Sequence, residues 1–204
     1  MKKTKKVLIL GLCAVLLVAA SVLGTMAYLT DTKSVTNTFT VGNVAITLDE
    51  LDVDNSTENA DRDTANQYHL LPGKTYTKDP TIHVQPSSED CFLFVKVANG
   101  ISAIEDSTKS VKSQMSTNGW TAVDEAKGIY VYGSLGAPTK VEKSNTVTDV
   151  KVFDEFTIAG TVNNTTLEAN KNSIVVTAYA IQADGFAGKT AKEILTTSKL
   201  IPQE

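Results

Sequence analysis

Cysteine, histidine and arginine are scarce in this 204-residue chain, which holds two Cys, two His and one Arg, Arg62. Cys13 falls inside an N-terminal apolar run, so Cys91 stands alone once that run is removed, and no intrachain disulfide can brace an exported product. Its stability must come from packing. His69 and His83 do not form a His-Glu-x-x-His pair, which excludes the helical zinc-hydrolase arrangement. They read as an exposed loop residue and a strand residue without metal, leaving only a mixed His/carboxylate site built from distant loops. The lysines are scattered and no basic, aromatic-interleaved patch occurs, so nucleic acid is not an expected partner. A Gly-rich phosphate cradle and a Gly-x-Ser-x-Gly elbow are also missing, and no enzyme is expected. Disorder is excluded in turn: charged residues make up 21% and hydrophobic ones 42%, and the length is enough for one domain with a core.

What the chain does have begins with a leader. Met1 to Lys6 is basic, Val7 to Gly24 is apolar, and Thr25-Met26-Ala27 places small residues at the minus-three and minus-one positions of a signal-peptidase site. Residues 1–27 therefore read as a signal peptide cleaved between Ala27 and Tyr28, and its loss removes Lys2, Lys3, Lys5 and Lys6 from a chain already at net charge −4. The product is secreted and acidic. An uncleaved leader would be the only contact with a membrane, since its apolar run sits at the lower limit for a span. A lipoprotein reading fails because the bulky Leu12 directly precedes Cys13.

Downstream, Thr-rich alternating segments separated by turn signals predict many short strands. Val35, Phe39 and Val41 share one phase and Val44, Ile46 and Leu48 the other, with Gly42-Asn43 at the change. Residues 49–66 are acidic and predict a long solvated loop. Leu71 to Lys74 predicts a turn, 81–85 a strand, and 91–97 an interior strand apolar on both faces. Ile101, Ile104, Val111 and Met115 fit helical turns over 101–118. A hairpin over 120–123 and 129–132 with a five-residue loop follows, then strands at 139–143, 150–158 and 173–182. Thr190 and Glu193 form a capping-box pattern for one short C-terminal helix. The expected fold is mostly β, a two-layer antiparallel β-sandwich of jelly-roll type over residues 42–204 with short connecting helices; a closed barrel is the competing fold.

Three residue groups invite a chemical reading. Cys91 follows the anionic Glu89 and Asp90, which work against a thiolate, so it is read as a quiet thiol in the sheet. Asp52, Asp54, Ser56 and Glu58, with Asp63, offer alternate oxygens like a calcium loop but lack its Gly and closing Glu, so weak Ca²⁺ binding is the one cofactor reading and no cofactor is expected. Trp120, Tyr130 and Tyr132 fit core positions on alternating strands better than a ligand platform. The segment 28–41 is different: rich in β-branched residues and free of Pro and Gly, it is a strand in need of a sheet, with Leu29, Val35 and Phe39 as apolar anchors. It pairs either within its own domain or with the open edge of another copy, and the second contact, being head-to-tail, propagates.

The stretch from Gly24 to Thr32, with Asn37-Thr38-Phe39-Thr40-Val41-Gly42-Asn43-Val44, resembles the leader and start of the TasA/camelysin family of Gram-positive exported proteins. Leu71 to Pro80, Phe153 to Ile158 and Val176 to Phe186 look like its BsaA-type biofilm-matrix branch, so the resemblance covers most of the chain. It implies a jelly-roll subunit, leader removal by an ER-type signal peptidase at Thr25, Ala27 and Tyr28, and head-to-tail homopolymers in the extracellular matrix or at the cell surface, joined by a donor strand starting at Tyr28. Two alternatives remain: a camelysin-like metal-dependent endopeptidase, which the scarcity of His argues against, and a monomeric surface adhesin.

Overall fold

The computed structural model describes residues 43–56, 61–169 and 173–199, all within the compact unit Val41–Glu204. The leader, its cleavage residues Thr25, Ala27 and Tyr28, and the donor residues Leu29, Val35 and Phe39 lie outside the described residues. What is described is mostly β, every strand pairing is antiparallel, and the helices are short. No described helix is long and apolar enough to cross a membrane.

The first sheet has four strands in the order β2-β1-β4-β9. β1 (Ile46–Leu51) and β9 (Thr148–Lys151) flank β4 (Thr81–Val84), and β2 (Arg62–Asp63) pairs only with the last two residues of β1. The predicted solvated loop over 49–66 thus needs correction at both ends. β1 runs on to Leu51, and the returning chain is zipped to it by Glu50 opposite Asp63 and Leu51 opposite Arg62. Ionic and hydrogen-bonding side chains, not apolar alternation, hold this pairing, which explains why periodicity does not reveal it.

The five-stranded sheet has the order β11-β5-β7-β6, with β8 (Lys140–Val141) also on β5. Its centre is β5 (Cys91–Asn99), flanked by β7 (Ile129–Tyr132) and β11 (Ile174–Gln182); β6 (Trp120–Asp124) closes the far edge. The hairpin β6-β7 takes Asp124 into its strand, shortening the expected five-residue loop by one and shifting register after Ala122. Gly128 ends that loop at φ +67, and a Cβ there would stand 2.2 Å from the Val97 carbonyl oxygen, so only glycine fits. A small third sheet pairs β3 (Thr75–Thr77) with β10 (Glu155–Thr157).

The expected strand over 150–158 is two strands in different sheets. Val152 and Phe153 are consecutive and both fully buried, which alternation cannot achieve on a strand with one wet face. The chain bends there and changes sheet. The helical expectation over 101–118 becomes a single 3-10 turn (Ser107–Lys109) and α1 (Val111–Thr117), with Ile101, Ile104, Val111 and Met115 all buried. A further helix, α2 (Asn164–Ala169), was not expected from the sequence. α3 (Ala191–Ser198) carries the capping box as read: the Glu193 amide donates to the Thr190 hydroxyl while the Thr190 amide donates to the Glu193 carboxylate.

Alternation along β5 splits the core. Cys91, Leu93, Val95 and Val97 join a cluster with Ile82, Val84 and Val150 of the four-stranded sheet and Tyr76 and Phe156 of the small one. Phe92 and Phe94 point the other way, where Ile194 and Leu195 of α3 cover them. Trp120 and Tyr130 are core residues, and the Trp120 indole donates to the Lys151 carbonyl at 2.9 Å, tying β6 to β9.

Candidate functional site

The most unusual surface lies where β1 and β11 come together. β11 pairs with β5 over nine residues in unbroken register, and among the described residues nothing pairs with its other side. Ile174, Val176, Ala178 and Ala180 face the main core from this edge, yet each is only partly buried, and so are Val44, Ile46 and Leu48 on and before β1. Among the described residues these apolar side chains point inward but stay partly exposed beside an unpaired strand edge. Between the C-terminal half of β1 and the start of β11 lies a cavity of about 400 Å³. It adjoins a smaller one of about 180 Å³ lined by Tyr68 and Phe156. Tyr68 packs edge-on to Phe156 and Tyr76, and burial, then the charge of Glu50, pushes its phenol above the ordinary tyrosine value.

Asn66 and Lys78 line both cavities. Val44 just before β1 and Ile46 and Leu48 on it face inward, so by the period-two rule the next inward position is Glu50, a carboxylate only 4% exposed. It accepts from the Lys78 ammonium at 2.5 Å and from the Asn66 carboxamide at 3.0 Å. That phase is the signal by which sequence reasoning could have found the cluster: the fourth inward position of an otherwise apolar face is acidic.

A second polar group lies on the outer face of the four-stranded sheet. His83, central in β4, meets Asp49 through Nε2 at 2.9 Å and Asp149 through Nδ1 at 2.6 Å. Arg62 pairs with the same Asp49 carboxylate and reaches Asp79 at 3.1 Å. Burial works against charge on His83, but the two carboxylates outweigh it and hold the imidazolium above its ordinary pKa. This is a strut across β1, β4 and β9. His69 is an exposed loop residue, as read.

In the acidic loop, carboxylate oxygens of Asp52, Asp54 and Asp63 approach within 4.8 Å of one another. Their oxygens also serve the loop itself: the Ser56 amide donates to Asp54 at 2.9 Å, the Gln67 amide to Asp54 at 2.6 Å, and the Ser56 hydroxyl to Asp63 at 2.9 Å. Glu58 lies outside the described residues. Cys91 is fully buried, and burial first, with Asp90 second, pushes its thiol up to about 11, so it is no nucleophile at neutral pH.

Comparison of the chain with protein-family models, with curated proteins and with solved structures found no match.

Proposed function

We propose that this protein is an exported structural subunit that polymerises into extracellular fibres, with residues 28–41 of one copy lying along the free side of β11 in the next. In this reading the four- and five-stranded sheets are the layers of a jelly-roll sandwich that lacks one strand. The observation that carries it is the β11 edge, nine residues long, regular, and bordered by inward apolar side chains that remain half-exposed. Strand addition would satisfy the backbone groups of that edge, while Leu29, Val35 and Phe39 share one phase of the donor and can fill the apolar cleft. Each large apolar side chain fully buried contributes about 1.5–3 kcal/mol before ordering costs. Because donor and acceptor are different surfaces, the contact does not close on itself and grows a filament. An ER-type signal peptidase would free the donor by cutting after Ala27. The test is electron microscopy and sedimentation of two chains, one beginning at Tyr28 and one at Asn43. Filaments from the first and monomers from the second are expected; two monomeric samples would overturn the reading.

A further inference from the structure

The Glu50, Asn66 and Lys78 cluster has a geometry that an ion pair does not need. A buried lysine-glutamate pair is no better for stability than apolar residues of similar volume. Here the pair lines the larger cavity, from which Lys78 also reaches the smaller one of Tyr68 and Phe156, with Lys78 at 12% and Glu50 at 5% side-chain exposure. The same carboxylate holds, on its two oxygens, an amine that can act as nucleophile and a carboxamide that can act as electrophile. The carboxamide is fixed in orientation. Its Nδ2 also donates to the Leu51 carbonyl at 2.8 Å, and its Oδ1 accepts from the Val53 backbone amide at 2.8 Å. A backbone N–H on that oxygen polarises the carbonyl and would stabilise negative charge developing there.

We propose that Lys78 and Asn66 become joined by an intramolecular isopeptide bond, formed by the folded chain itself with Glu50 as proton carrier. Glu50 takes a proton from the Lys78 ammonium, and the freed amine attacks Cγ of Asn66. A C–N bond forms as the carbonyl electron pair moves to Oδ1, which the Val53 amide supports. Glu50 then delivers its proton to Nδ2, the Cγ–Nδ2 bond breaks, and the carbonyl re-forms. Ammonia leaves and is protonated by the second proton of the attacking nitrogen, so an ammonium ion departs, Glu50 ends as it began, and no oxidant or cofactor is consumed. The Glu50 carboxylate holds both reacting groups, and groups held by one anchor react as if at very high concentration, which an attack on an unactivated amide needs. The product ties the loop after β2 to the chain entering β4, giving a covalent brace to a domain whose only described thiol, Cys91, has no partner.

The proposal does not depend on polymerisation, and its test reads single chains. Intact mass spectrometry of the purified, denatured protein should give a mass about 17 Da below that of its sequence, the loss of one ammonia in a nucleophilic displacement. Proteolysis should yield one branched species joining the peptides that carry Asn66 and Lys78. Glu50→Gln and, separately, Lys78→Arg should restore the full mass and the two separate peptides. A folded wild-type chain at full mass would overturn the proposal whatever the variants do. So would the mass loss without a branched peptide, because an Asn succinimide loses the same ammonia. Persistence of the branched peptide in Glu50→Gln would remove Glu50 from the step.

Discussion

The two edges of the five-stranded sheet are built in opposite ways. β6 is short, its register shifts between Ala122 and Asp124, it ends on an acidic residue, and Trp120 ties it to β9. Bulges, charges and brevity are the means by which proteins stop edge strands from recruiting others. β11 has none of them. Its sequence Ile-Val-Val-Thr-Ala-Tyr-Ala-Ile-Gln contains no charge and no proline, and its nine pairs with β5 run without interruption. Among the described residues one edge of this sheet is thus protected and the other is unpaired, and the proposed strand acceptor rests on that asymmetry.

Four comparisons break or sharpen this contrast. The largest effect is expected from a charge set into the open edge: Ala178→Lys should abolish filament formation in sedimentation assays while unfolding stays cooperative, whereas Val123→Lys on β6 should leave filament yield unchanged. Next comes the sealed interior. Phe94 is fully buried beneath α3, so Phe94→Ala should cost about 3–5 kcal/mol in urea unfolding of the monomer. Val176→Ala, on the half-wet edge, should cost only about 1 kcal/mol in the same experiment. Thr190→Ala removes the cap of the helix that seals the closed face and should cost about 1 kcal/mol, read by thermal unfolding. The smallest effect is the pH response of the His83 strut. Its folded pKa is raised, so its contribution is complete below the unfolded value near 6.5 and fades as pH rises through the folded value. The stability of wild type relative to His83→Gln should therefore be greatest in mildly acidic buffer and shrink toward alkaline pH.

How much of this could be read from sequence depends on whether the signal is local. The interior strand β5, the β6-β7 hairpin and the Thr190/Glu193 cap all follow from residues adjacent in the chain, and each appears close to where the pattern puts it. The break between β9 and β10 does not. An apolar run such as Val150-x-Val152-Phe153 looks like one strand until the partners on either side are known, and those partners, β4 and β3, lie about seventy and eighty residues earlier in the chain. The polar pairing of β2 has no periodicity to detect. The proposed donor role of residues 28–41 rests on unspent β-propensity in the sequence alone; the edge proposed to receive it could not be chosen there, because the sequence of β11 reads the same for an edge strand as for a central one. Likewise the clustering of Glu50, Asn66 and Lys78 joins three elements, and only the inward phase of Glu50 hints at it.

The central claim is that the free side of β11 is a strand acceptor, and amide hydrogen exchange tests it most directly. In the monomeric chain beginning at Asn43, the amides of Ile174–Gln182 that face away from β5 should exchange quickly. In filaments of the chain beginning at Tyr28, the same amides should be strongly protected while those of β6 change little. Filaments in which β11 exchanges as fast as in the monomer would contradict the account.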